Sequence, residues 1–222
     1  MTASQQTTCR ALASALVRII QQWDSHQEKN LWLRPGDSRE GIVEALLQAF
    51  GALAEPGMLK QFVSHALSLP ERYGLHTVLI PAAQRMDQEI AASSPVRAAY
   101  RHLLSHCIEA LQSLTATPVP VPTDWAQDIE IGCTCADCTE LQQFLRDPQA
   151  RQHRFRVRKE RRQHLHQQIG VHGCDVDHVT ERQGSPQTLV CTKNRASYER
   201  RQQQFATDTR LLAELHAIAA SS

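Results

Sequence analysis

Three of the chain's seven cysteines fall within six residues, in the run Cys133-Thr-Cys135-Ala-Asp-Cys138. Such a run keeps three soft sulfurs together whatever the local backbone does, so the fold around it must either use them jointly or keep them apart. Thiolates clustered in this way suit Zn²⁺ or, less often, an iron–sulfur cluster. Cysteines at this spacing make a poor disulfide framework, and an odd total leaves at least one unpaired. A reducing compartment and a structural zinc ion are therefore the expectation.

A tetrahedral site needs a fourth donor. His164 ranks first, because it lies on a basic segment that can turn towards the cysteine loop; Cys174, His178 and Cys191 are the alternates. The ordinary alternative is that all these are small buried side chains that hold no ion. Cys9 and Cys107 lie on apolar helical faces and read as core thiols.

The two halves of the chain differ in grammar. Residues 1–117 read as helix almost throughout. A first helix over 8–28 carries Leu12, Leu16, Ile19, Ile20 and Trp23 at helical spacing. A second opens at a capping box, Asp37 with Glu40, and presents Ile42, Val43, Leu46, Leu47 and Phe50. A third covers 56–67. A fourth opens at a second capping box, Ser68 with Glu71, and Pro81 is expected to end or kink it. A fifth begins at Ser94-Pro95 and carries Tyr100, Leu103, Leu104, Ile108 and Leu111. No fixed-period repeat emerges, so an irregular helical bundle is expected rather than a solenoid.

Pro118-Val-Pro120-Val-Pro122 favours stiff extended backbone, and residues 118–124 read as a linker. Residues 125–222 then form a mixed module. Asp137 is the expected N-cap of a short helix that Asp147-Pro148 stops. A basic helix follows over 155–169. Residues 177–182 and 187–193 read as a β-hairpin across Gly184-Ser185-Pro186, and a last helix spans 196–219. The expected fold is mainly α, a helical bundle followed by a small zinc-stabilised α+β module. An isolated hairpin is marginal in water, so an ion is a natural pin for it.

The formal net charge is only +1, but residues 151–170 carry a local net +6. Arg154, Arg156, Arg158, Arg161, Arg162, Arg182 and Lys193 are the candidate residues for binding an anion or nucleic acid. Phe155 is the lone aromatic nearby, whereas single-strand readers stack bases on several. A solvated face paired with neighbouring carboxylates is the competing reading. No stretch approaches the ~18 apolar residues of a bilayer span, and residues 1–8 lack a basic-then-apolar leader. The expected setting is cytoplasmic, with a protein partner or nucleic acid and no membrane; the oligomeric state is left open.

Catalytic signatures are missing: there is no Gly-x-Ser-x-Gly elbow, phosphate loop, dinucleotide fingerprint or His-Glu-x-x-His. His26-Gln-Glu28 with His76 fits a facial-triad pattern only formally, because it sits at the end of a helical segment rather than on a strand. The readings that remain are a non-catalytic zinc-binding scaffold or interaction protein, a nucleic-acid binder, and a metal enzyme with an open site and His178 or Glu181 as base.

The string Cys133-x-Cys135-x-x-Cys138-x-x-Leu141-x-x-Phe144-Leu145-x-x-Pro148, then Arg161-Arg162-x-His164-Leu165, then Thr180-x-Arg182-x-Gly184-Ser185-Pro186-x-Thr188-Leu189-Val190-x-x-Lys193, resembles a known region. That region is the C-terminal part of prolyl-4-hydroxylase-like 2-oxoglutarate/Fe(II) oxygenase proteins of fungi and bacteria. The similarity covers about residues 125–195. The family's iron site lies in a separate double-stranded β-helix that these 222 residues do not include. The resemblance therefore implies no oxygenase activity here. It implies that the cysteines, His164 and the Arg-Gly-Ser-Pro turn form one unit.

Overall fold

A computed structural model describes residues 3–27, 43, 49, 56–87 and 97–221. The described residues are mainly α-helical with one small antiparallel sheet, the class expected from the sequence. They divide into two units, Met1–Ala116 with Thr207–Ser222, and Thr117–Ala206. The end of the closing helix thus belongs to the first unit, whereas the sequence reading assigns all of 125–222 to the second. Residues 118–124 belong to the second unit. The capping box at Asp37 and Glu40 and the start at Ser94-Pro95 lie outside the described residues; Val43, from the same expected helix, is helical and buried. Among the described residues no helix is long and apolar enough to cross a membrane.

The first unit contains α1 (Ala3–Gln27), α2 (Pro56–Leu67), a π-helical turn (Leu75–Leu79), α3 (Ile80–Asp87), α4 (Arg97–Thr115) and the later part of α7 (Ala196–Ser221). Val17, Leu59, Phe62, Leu103, Leu111 and Leu215 are among its core residues. Two expectations are corrected here. Ser68 does not open a helix: its hydroxyl donates to the His65 carbonyl and closes the end of α2 instead. Pro81 does not end a helix but stands at the first turn of α3, where its missing N–H costs nothing. The Ile80 N–H reaches back five residues to the Leu75 carbonyl, so the wider π turn accommodates the ring without breaking the rod.

On α1 the buried stripe is Ala13, Val17 and Ile20, while Leu12 and Ile19 stay 65% and 59% exposed. The stripe is rotated by one residue from the larger side chains expected to be buried. The physical reason is Asp24, next on the buried stripe and only 2% exposed. A carboxylate is tolerated there only with partners. It has them: Tyr73 Oη donates to its Oδ2 at 2.7 Å, His65 Nε2 lies 2.8 Å from the same oxygen, and Arg72 donates to Oδ1 at 3.4 Å. Tyr73→Phe keeps the edge-on ring contact with Phe62 but deletes one donor to a buried charge. Urea unfolding should show a loss of about 1.5–3 kcal/mol; an unchanged midpoint would mean the carboxylate is satisfied without the phenol.

The second unit contains α5 (Ala136–Arg146), β1 (Gln152–Arg156), α6 (Lys159–Val171), β2 (Val176–Glu181), β3 (Thr188–Lys193) and the start of α7. The sheet order is β1-β3-β2, with both pairings antiparallel. β1 corrects the sequence reading, which runs the basic helix through Phe155. Residues 153–158 alternate: His153, Phe155 and Val157 are buried or half-buried, while Arg154, Arg156 and Arg158 are exposed. That period of two is a strand signal, and the third strand turns a marginal hairpin into a sheet with a core face. Phe155 sits opposite Leu189, and His153 opposite Cys191. Phe155, Leu189 and Cys191 share one core with Leu141, Leu145 and Leu165 from the two helices.

A Schellman turn ends α6. Gly173 takes φ +60°, the Cys174 N–H bonds the Ile169 carbonyl at 3.1 Å, and the Gly173 N–H bonds that of Gly170 at 3.2 Å. Only glycine takes that conformation without strain. The hairpin connection uses Gly184 at φ +82° and a cis Ser185–Pro186 peptide.

Candidate metal centre

The cysteine loop is set by backbone clamps on α5. The Gln142 side chain accepts the Ile131 N–H at 2.7 Å and donates to the Ile129 carbonyl at 2.6 Å. Upstream, the Trp125 and Gln127 N–H groups bond the Pro148 and Leu145 carbonyls. Cys133 therefore leaves a segment already fixed against the helix. The N-cap of α5 is Cys135 rather than the expected Asp137. Cys135 is extended at φ −66°, ψ 157°, and its carbonyl accepts the Thr139 N–H at 2.9 Å, the first bond of the helix. Cys138 lies in the first turn, fully buried beside Leu141.

His164 comes from α6, next to the buried Leu165 that anchors this helix in the core. Its Nε2 lies 3.3 Å from Cys133 Sγ and 3.2 Å from Cys138 Sγ. The donor atoms of Cys133, Cys135, Cys138 and His164 all lie within 4.8 Å of one another. With Zn–S near ~2.3 Å and Zn–N near ~2.0–2.1 Å, a tetrahedral site has N···S edges of about 3.6 Å and S···S edges of about 3.8 Å. The cluster is close to that size, and its donors are the soft set that zinc prefers. These residues could hold a metal ion.

The surroundings shift two of the sulfurs in opposite directions. The Cys138 N–H, together with hydrogen bonds from the neighbouring donors, holds the Cys135 thiol down at about 7. Burial, and then the two neighbouring sulfurs, pushes Cys138 up to about 12. Three thiolates crowd one another unless an ion sits among them. Asp137, nearly buried, takes a bidentate ion pair from Arg161, one helical turn before His164 on α6. This pair draws the first turns of α5 and α6 together beside the cluster.

The alternates lie outside it. Cys174 belongs to the Schellman turn, and Cys191 is buried on the inner face of the sheet, where burial pushes its thiol up to about 12. The His178 ring packs on His166 with centroids 4.6 Å apart. Glu181 pairs with Arg154 across the sheet.

The basic candidates scatter. Arg162 is buried and donates to the Val157 carbonyl at 2.6 Å and to the Gln187 side chain at 2.9 Å, tying α6 to the hairpin. Lys193 is fully buried, donates to the Asp147 carbonyl at 2.6 Å and lies over the Phe144 ring. Both are corrections to a surface role: they satisfy carbonyls inside the module. Arg154 and Arg161 are held by Glu181 and Asp137, which leaves Arg156, Arg158 and Arg182 exposed and without an ion pair among the described residues. Sequence reasoning missed Trp125 as an organiser: the Arg151 and Arg195 guanidinium groups each lie 4.8 Å from its ring centroid.

Searches with the chain matched no family model, no curated protein and no solved structure.

Proposed function

We propose that residues 117–206 form a zinc-organised, non-catalytic binding module, in which the ion is structural and the surface it shapes meets a protein partner in the cytoplasm. The observation that carries this reading is the convergence of three sulfurs and one imidazole nitrogen on one point. Four protein donors complete a tetrahedral shell and leave no position for a reacting water. Neither candidate base, His178 or Glu181, belongs to the cluster, which further favours a structural ion over a catalytic one. The resemblance to a region that accompanies an oxygenase domain is part of the same reading and makes the module an accessory one. Nucleic acid is the less supported partner, because four of the seven cationic candidates are buried or already paired.

The test is elemental analysis of purified protein beside Cys135→Ser and His164→Ala. Wild type should carry one zinc per chain, and each variant should lose most of it after dialysis against a competing chelator. Full occupancy in His164→Ala would place the fourth donor elsewhere. A wild type without metal would end the proposal.

A further inference from the structure

The four donors differ in what solvent can reach. Cys138 is sealed against the module's core and Cys133 is half-buried, but Cys135 is exposed. It opens on a surface cavity of about 570 Å³ that Cys133, Asp137, Glu160, Arg161 and His164 also line. Cys135 and Cys138 are also the N-cap and the third residue of α5, a Cys-x-x-Cys pair at a helix N-terminus. Their sulfurs lie within 4.8 Å of one another. An exposed first thiol and a shielded second one, with two residues between them at the positive end of a helix, form a pair arranged for dithiol–disulfide chemistry.

We propose that Cys135 is a peroxide-modified site and that its oxidation to a Cys135–Cys138 disulfide expels the metal. This rests on the metal-site reading above. The Cys135 thiolate attacks hydrogen peroxide: an S–O bond forms, the O–O bond breaks, and hydroxide leaves and is protonated to water. The sulfenic acid so formed faces the helix N-terminus. Cys138 then attacks the Cys135 sulfur: the S–S bond forms, the S–O bond breaks, and the departing hydroxide takes a proton to give a second water. Two thiolates lose two electrons and peroxide gains them; the zinc ion is not reduced or oxidised. Left with Cys133 and His164 as donors, zinc dissociates. Cys138 is the resolving partner rather than Cys133, because only one residue separates Cys133 from Cys135 and a ring closed through one residue demands a tighter backbone than one closed through two.

The test uses the full chain loaded with one zinc. Hydrogen peroxide is titrated in the presence of a chromogenic zinc chelator, and remaining thiols are then alkylated and mapped by mass spectrometry. One equivalent of zinc should be released in step with a Cys135–Cys138 link, leaving Cys133 alkylated. Cleavage before Asp137 should leave Cys138 attached to the piece that carries Cys135. A thiol reductant with added zinc should restore both metal content and mass. Zinc that stays bound while peroxide is consumed, or a link that involves Cys133, Cys9 or Cys174 instead, would overturn the proposal and leave the metal site standing. A chain that holds no zinc before peroxide is added would remove the metal site, and this proposal with it.

Discussion

Removing the ion is expected to unfold residues 117–206 and to leave α2 and α4 folded. The apparent binding free energy of a structural zinc is about 10–16 kcal/mol in zinc-finger peptides, whereas whole domains are stable by only about 5–15 kcal/mol. Beyond the proposed ion, the second unit is held by one apolar core and by the ties that Asp137, Arg162 and Lys193 make. Its apolar core is one cluster under a three-stranded sheet, and the cysteine loop and α6 meet at the four donors. Without a cation the sulfurs face one another, and protonating them leaves the fully buried Cys138 beside other polar groups. Hydrogen exchange before and after chelation reads this directly. Amides of β1, β3 and α6 should lose at least about 100-fold of protection, equivalent to about 2.7 kcal/mol or more. Amides of α2 and α4 belong to a different core, built on Leu59, Phe62, Leu103 and Leu111, and should keep theirs. Retained protection in the sheet would make the ion dispensable to the fold.

Phe155→Ala carries the second large effect. The ring is 1% exposed, sits opposite Leu189 in the sheet and meets His153 edge-on at 4.6 Å between centroids. Deleting a buried aromatic ring costs about 3–5 kcal/mol through lost transfer energy and the cavity left behind. Arg156→Ala, one residue along, should change stability by no more than about 0.5 kcal/mol, because that side chain faces solvent on the other side of the strand. Urea unfolding of the zinc-loaded chain reads both. The alternation discriminates between strand and helix. A strand makes Phe155 and Val157 sensitive together and spares Arg154 and Arg156, whereas on a helix Phe155 and Val157 would point to different faces.

The cysteine–histidine cluster is legible in the sequence because so few residue types bind soft ions and because spacing alone keeps Cys133, Cys135 and Cys138 together. His164 followed from its place on a segment able to reach them. What charge concealed was β1. Seven cationic side chains in a short stretch read as one solvated helix, although His153, Phe155 and Val157 already showed a period of two. Where apolar stripes compete, as on α1, the choice depends on partners distant in the chain. Asp24 is buried because His65 and Tyr73, 41 and 49 residues away, close on it. Nothing local at Asp24 announces that. The N-cap moved from Asp137 to Cys135 for a similar reason: the Asp137 carboxylate is taken by Arg161, from a helix 24 residues on. Arg162 and Lys193 look like surface cations in the sequence, and their burial follows from carbonyls that only the folded sheet brings within reach.

Zinc-edge X-ray absorption on the purified 222-residue chain tests the central claim most directly. The account predicts one zinc per chain with three sulfur neighbours at about 2.3 Å and one nitrogen at about 2.0–2.1 Å. Protein that retains no zinc, or a shell dominated by oxygen with fewer than three sulfurs, would contradict it.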